Sequence, residues 1–381
     1  MVLHREGSSP FFRTDKTHCK AVSFFYANLL MLHEELYIIN LYVVMKLYEI
    51  RLKTKHNFWR GIMDYNEMVN IVLNEVRKAV TGKDDCIAKA FAAILAGGHI
   101  LIEDVPGVGK TTLAIAFSKA LSLENNRMQF TPDVMPADIL GFNMYQKETG
   151  KFVYYQGAIM CNLFLADEIN RTSPKTQSAL LEVMEEGKVT IEGKTREVPE
   201  PFIVIATQNP KGSSGTQLLP ESQLDRFMIC MSMGYPDLKD EVEILKGKSN
   251  SSVSDVCRVL SMEQLIKMKE QVEAVHVSDK LYAYIAMLSQ ATREHVYIEL
   301  GLSPRGSIAC TRMAKAWAYL RGRDFVLPED VAEIFMDVAK HRIVLNTKAR
   351  VAHVSEKAVL EEILSQVKQP ASYMKKEEYR V

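Results

Sequence analysis

Apolar residues recur along the chain in two rhythms. Val69, Val72, Leu73, Val76 and Val80 fall at helical spacing and predict an amphipathic helix. A second helix is expected over Asp84 to Ala96, ended by Gly97-Gly98. Short unbroken apolar runs then take over: His99–Glu103 (HILIE), Leu163–Ala166 (LFLA) and Phe202–Ala206 (FIVIA), with Met228–Met233 a weaker fourth. Between them lie helical stretches. The clearest is Pro174–Glu186, with Ser173 as N-cap, Pro174 in the first turn and Gly187 just past the end. Short apolar strands alternating with helices predict an α/β fold, a parallel sheet with helices on both faces.

Two segments break that rhythm. Lys188–Val198 reads as a β-hairpin turning at Glu192-Gly193-Lys194, an insertion on the sheet domain. Residues 247–255 (GKSNSSVSD) turn polar and serine-rich, which predicts a linker to a second, all-helical domain. Its helices are expected at Ser261 with Gln264 as a capping box, at Asp279–Glu294, from Ser303-Pro304, and over Pro328–His341. The expected organisation is a 63–246 core with the hairpin at about 188–198, a 247–255 linker, a helical domain over 256–368 and a 369–381 tail.

Residues 1–62 are aromatic-rich and resist the same reading. The apolar stretches 21–33 and 36–45 are divided by Glu34-Glu35, and a spanning helix needs about 20 mostly apolar residues without a central carboxylate pair. No secretory pattern is visible. A membrane anchor, a genuine extension, and upstream sequence ahead of a true start at Met63 all remain open, the last being favoured.

Charge changes little. Lys+Arg and Asp+Glu both number 47, so no global field draws the chain to nucleic acid or acidic membranes. The six cysteines form no CxxC pair, which argues against a zinc site or disulfide framework and suits a reducing cytoplasm.

The chemistry sits at the strand ends. Between HILIE and the next helix lies Val105-Pro106-Gly107-Val108-Gly109-Lys110-Thr111-Thr112, the setting of a phosphate-binding loop. Its glycines let backbone N–H groups surround phosphates, Lys110 would bridge β- and γ-phosphate oxygens, and the Thr111 hydroxyl would ligate Mg²⁺. Asp104 stands where the strict pattern has its first glycine. The bland alternative is a glycine turn with a chance Lys-Thr-Thr. LFLA runs into Asp167-Glu168, a costly placement unless the charges meet a cation. Asp167 would hold the metal shell and Glu168 would deprotonate the attacking water. The alternative is a solvated acidic pair. Asn209, after FIVIA, would bond the γ-phosphate or that water, or else form an ordinary Asn-Pro turn. Arg226 would stabilise the transferring phosphoryl group, or else pair with Asp225 on the surface. Arg305, in a first helical turn, calls for a nearby anion or for solvent.

Taken together, 64 to about 364 resembles the MoxR family of AAA+ ATPases. The resemblance runs through AGGHILIEDVPGVGKTTLA (96–114), GAIMCNLFLADEINRTSPKTQSALLEVMEEGKVTI (157–191), ATQNP (206–210), LPESQLDRF (219–227) and GLSPRGSIA (301–309). It implies a P-loop NTPase sheet domain followed by an all-α lid, with ATP and Mg²⁺ as cofactors. Asn209 then looks like sensor 1, Arg226 the arginine finger, Arg305 sensor 2, and Val80 and Gly82 border the adenine. It also implies a homo-oligomeric ring, a hexamer by expectation, acting on an unknown protein client in the cytoplasm, with a von Willebrand factor A domain protein as possible partner. Competing readings are a nucleic-acid motor, a magnesium chelatase-like subunit, and a nucleotide-gated scaffold with little turnover.

Overall fold

The computed structural model describes residues 67–104, 107–209, 219–245 and 253–370. The expectations for residues 1–62, for Pro106, for the linker up to 252 and for the tail beyond 370 lie outside the described residues.

Helix α1 (67–79) buries Val69, Val72, Leu73 and Val76 at the predicted spacing. α2 (Asp84–Leu95) follows, and Gly97 with φ 69° turns the chain into β1 (Ile100–Glu103). Next come α3 (Lys110–Ala120), β2 (Asn125–Gln129), α4 (Pro136–Leu140), the hairpin β3 (Gly141–Gln146) and β4 (Lys151–Gln156), and β5 (Leu163–Asp167). α5 (Pro174–Glu186), the hairpin β6 (Lys188–Ile191) and β7 (Lys194–Glu197), β8 (Ile203–Gln208), α6 (Glu221–Leu224), β9 (Ile229–Met231) and α7 (Leu238–Leu245) complete the first part. Then follow α8 (Met262–Glu273), α9 (Asp279–Glu294), β10 (Ile298–Leu300), α10 (Pro304–Leu320), α11 (Pro328–Ala339), β11 (Val344–Leu345), α12 (Thr347–Val351) and α13 (Glu356–Gln366).

The strands β2-β5-β8-β1-β9 form one parallel sheet in that order. Strand side chains alternate between faces, and each face finds its own core. Ile100, Ile102, Leu165, Ile205 and Ile229 pack with α2, α3 and the later helices. Leu101, Phe164, Val204 and Cys230 pack with Leu180 and Leu181 of α5 on the other side. The N-caps fall where the sequence puts them: Ser173, Ser261 and Ser303 accept from the amides of Thr176, Gln264 and Gly306. The 188–198 hairpin turns through Glu192 and Gly193, both left-handed, giving a two-residue loop. The later part is helical as expected, with two short pairings added between its loops. β10 pairs antiparallel with β11 across a register shift, and His276 bridges Phe325. These pairings stitch loops together and are too short to leave a period-two signal.

His99 fastens three elements at the start of β1. Val204 N–H donates to its Nδ1 (3.0 Å), so Nε2 carries the proton and donates to the Met184 carbonyl (2.9 Å). Burial pulls its pKa down to about 4, and a protonated Nδ1 would face an N–H. The unfolded chain therefore binds this proton first, near its ordinary 6.5. The stabilisation is complete above that value and is lost as pH falls toward about 4. Discounted for partial exposure, the loss is on the order of 2–3 kcal/mol. Denaturant titrations from pH 7 to 4 should show a steeper decline for the parent than for His99→Gln.

Candidate active site

Lys110 opens α3, and the two glycines just before it carry the turn. Gly107 and Gly109 sit at φ 88° and 94°, a region that glycine enters freely. No atom lies within 4 Å of where a Gly107 Cβ would stand, so the backbone there borders open space. The Lys110 ammonium is buried and donates to the Asp104 carbonyl at 2.8 Å, spanning the loop. Burial pushes its pKa below the ordinary lysine value, against the pull of Asp104, Asp167 and Glu168. A desolvated cation beside a helix N-terminus concentrates positive potential, which suits polyphosphate. Thr111 and Thr112 are half-buried in the same turn, and Val108 packs against the larger core.

Asp104 does more than replace a glycine. It is buried, and its Oδ2 accepts from the Ser232 hydroxyl (3.0 Å) and the Gly234 amide (2.6 Å). The loop is thus bound to the segment after β9. That same segment receives Lys83 Nζ on the Tyr235 carbonyl at 2.7 Å. Asp240 lies so close to Gly82 that a Cβ there would meet its Oδ2 at 1.7 Å. Val80, Gly82 and the phosphate loop are therefore joined through residues 232–240.

β5 and β8 run side by side and deliver the acidic and amide groups. Asp167 ends β5; its Oδ1 accepts from the Thr207 hydroxyl (2.6 Å), and its Oδ2 pairs with half-exposed Arg127 (2.8 Å). Glu168 follows in left-handed backbone (φ 57°, ψ 47°), its amide held by Thr207 Oγ1 at 2.9 Å. A non-glycine residue held there costs on the order of 1 kcal/mol, and such strain concentrates at functional sites. Asn209 Nδ2 donates to Glu168 Oε1 (3.1 Å), while Gln129 and Arg171 hold Oε2 (2.8 and 2.7 Å). Asn209 Oδ1 is buried with no partner, an acceptor waiting for a donor. Gln129 and Arg127 come from β2, and neither was identified from sequence.

The remaining arginines gather elsewhere. Arg226 Nη2 pairs with Glu185 Oε2 at 3.0 Å, and Arg305 pairs with the other oxygen of the same carboxylate. Glu185 adjoins Met184, the partner of His99, and Met228 N donates to the His99 carbonyl (2.8 Å). Both arginines therefore stand where β1 begins, whereas Lys110 follows its end, about 13 Å away at 3.3 Å per residue. Asp225 does not pair with Arg226; it takes Arg342 Nε (2.7 Å) and the Ser303 hydroxyl (2.8 Å). The anion that Arg305 calls for is Glu185. Lys110, Asp167, Glu168 and Asn209 share one end of the sheet, and Arg226 with Arg305 shares the other.

The donors at the first end fit magnesium. A carboxylate at a strand end and a threonine hydroxyl are hard oxygen ligands, and this ion prefers few protein ligands with phosphate and water completing its shell. Among the described residues no cluster of three or more His, Cys, Asp or Glu could hold a metal alone.

Comparison with known proteins sets this arrangement in its class. Residues 99–229 match the ATPase family associated with various cellular activities (AAA), and residues 290–363 match the AAA lid domain. The fold is that of a nucleotide-binding AAA+ ATPase. The chain is 42% identical over 308 residues to YeaC of Bacillus subtilis, covering 81% of this chain and 96% of that one. It is 37% identical over 305 residues to chaperone MoxR1 of Mycobacterium tuberculosis, covering 78% and 81% respectively. The crystal structure of a Cytophaga hutchinsonii protein assigned as an ATPase superposes with a TM-score of 0.76 at 38% identity, over 82% of this chain and 98% of that one. The chain belongs to the MoxR family of AAA+ ATPases. No helix among the described residues is long and apolar enough to cross a membrane.

Proposed function

We propose that the protein hydrolyses ATP in a ring of identical subunits, by expectation a hexamer, and uses the cycle to remodel a client protein. The observation that carries this reading is the split site. One copy holds Lys110, Asp167, Glu168 and Asn209 at one end of its sheet, and Arg226 with Arg305 at the other. A second copy, abutting end to end, joins the two halves.

In the joined site the 107–112 backbone and Lys110 grip the phosphates. Asp167 and Thr111 would hold magnesium, which would supply neutralisation of phosphate charge when bound. Glu168, released from Asn209, Gln129 and Arg171, takes a proton from the attacking water. Asn209 then offers its orphan Oδ1 to that water and its amide to the γ-phosphate. Arg226 and Arg305 leave Glu185 for the neighbour's phosphoryl oxygens, so each subunit reports its nucleotide to the next. Val80 and Gly82 border the adenine, held to the loop through Asp104.

A client-facing role is supported by the β3–β4 hairpin, which exposes Phe142, Met144, Tyr145 and Phe152, and by similarity to a relative named a chaperone. A von Willebrand factor A domain partner and a cytoplasmic setting belong to the same reading. A nucleic-acid motor fits less well. Lys188 pairs with Glu197 at 3.5 Å and Arg196 stacks on Tyr154 at 3.7 Å, so two of the three β6–β7 cations are already engaged and only Lys194 is left to meet a phosphate backbone.

Mixing two inactive variants tests the split site. Arg226→Ala keeps a sound nucleotide half, and Glu168→Gln keeps sound arginines. Mg²⁺-dependent ATP hydrolysis should rise with protein concentration in the parent and should reappear when the two variants are mixed. A mixture as inactive as its components would rule out sites shared between copies.

A further inference from the structure

α7 carries an exposed apolar stripe. Leu238 is 79% exposed, Val242 37% and Leu245 80%, and their spacing of four and three residues puts them on one helical face, with Tyr235, 74% exposed, in the segment just ahead of the helix. The other side of the segment is acidic and engaged. Asp240 lies against Gly82, and Asp237 caps the Asp240 amide at 2.8 Å. Contiguous exposed apolar faces of this kind mark contact surfaces. Through Gly234 and Asp240, α7 is attached to the nucleotide half of the site.

A groove of about 850 Å³ opens between α8, α9 and α10, on the arginine half. Its apolar lining includes Ile266, Tyr282 and Ile308, which are 40%, 47% and 60% exposed. Two cations stand at its edge above Gly97: Lys269 Cε and Arg312 Nη2 lie 3.6 and 3.7 Å from where a Gly97 Cβ would be. Neither makes a hydrogen bond or salt bridge with a described residue, although Glu200, Glu270 and Glu273 also line the groove. The groove shares Gly97, Ile308 and Arg312 with the cleft that holds Glu185, Arg226 and Arg305.

We propose that α7 of one copy docks its Leu238–Val242–Leu245 stripe, with Tyr235 just ahead of it, into the α8–α9–α10 groove of the next copy, and that exposed Glu241, which flanks the stripe at helical spacing, meets Lys269 and Arg312. The inference rests on the trans-arginine reading. The approach that brings Arg226 and Arg305 to a neighbour's phosphate loop also brings that neighbour's α7 to the groove beside them. Because α7 is tied to the loop through Asp104 and to Gly82 through Asp240, a shift in the loop on nucleotide binding is passed to the neighbour's helical domain without crossing the sheet. Assembly and nucleotide occupancy are then linked, each strengthening the other by the same factor.

The full chain with Leu238→p-benzoylphenylalanine, irradiated with ATP present, is expected to yield a crosslinked dimer. Its junction peptide should fall within 262–320 of the second copy. Leu238→Arg with Leu245→Arg should shift sedimentation to monomer at concentrations where the parent assembles, and Ile308→Arg on the groove side should do the same. All three positions are exposed, so folding should be untouched, with an unchanged melting temperature as the control. A crosslink elsewhere, or α7 and Ile308 variants that assemble like the parent, overturns the docking. If the Arg226→Ala and Glu168→Gln mixture still regains activity in that case, the trans arginines stand and only the α7 contact falls. If the mixture stays inactive as well, both fall together.

Discussion

Arg226→Ala is expected to bind ATP within about twofold of the parent and to turn it over about 10³-fold more slowly, the effect of losing an arginine that meets the transferring phosphoryl group. Binding survives because Arg226 stands at the start of β1 and touches nothing in its own phosphate loop. Among the described residues its ion pair is with Glu185, which keeps Arg305 when Arg226 is removed. Its Nε is buried with no partner, so its fork is incompletely used in the isolated chain. Arg226→Lys should rescue little, since a point charge cannot reproduce two parallel N–H contacts. Steady-state hydrolysis beside binding of a fluorescent ATP analogue separates the two effects. Turnover near the parent's would mean that the Lys110 end works without an arginine from elsewhere.

What the sequence discloses tracks how local the cause is. The phosphate loop, the ends of β1, β5 and β8, and the Ser173 and Ser303 caps are each written in a few adjacent residues, and all are legible. β2 is not. Its NNRMQ is polar because it is the sheet's edge and exposes four of five side chains, so only its backbone pairing with β5 makes it a strand. Yet it brings Arg127 to Asp167 and Gln129 to Glu168. The β3–β4 hairpin was also missed. Its apolar positions face outward, with Phe142 stacked on Tyr155 and Tyr145 against Phe152, so no core face stamps a period on the sequence. The meeting of Arg226 and Arg305 on Glu185 was invisible for another reason. The three lie on separate elements, and only the docking of α10 against the end of α5 decides it. Asp225 shows the same limit: adjacency suggested Arg226 as its partner, and the fold supplied Arg342.

That last pairing carries the second large effect. Arg342→Ala is expected to destabilise the protein by about 3 kcal/mol, from a half-buried carboxylate left without its cation and several carbonyls left without their donor. Arg342 is 4% exposed and sits just past α11. It donates to the Asp225 carboxylate (2.7 Å), to the carbonyls of Asp225 (3.2 Å) and Met228 (3.0 Å), and to those of Phe227 and Val338. One guanidinium thus fixes residues 225–228, the approach to β9, to the helical domain. Alanine would strand Asp225 and several carbonyls at once, whereas Arg226→Ala removes a partly exposed pair and should cost only about 1 kcal/mol or less. The double variant Asp225→Ala, Arg342→Ala should be less destabilised than the sum of the two singles, because the second deletion removes the charge that the first left unpaired. Denaturant midpoints measure all four proteins. Arg342→Ala should also lose turnover more than ATP binding, since Arg226 follows directly on Asp225 and shifts with it. A midpoint unchanged in Arg342→Ala would mean that the 225–228 segment is held by its strand pairing alone, and the position of the arginine pair would then have to be set by Glu185.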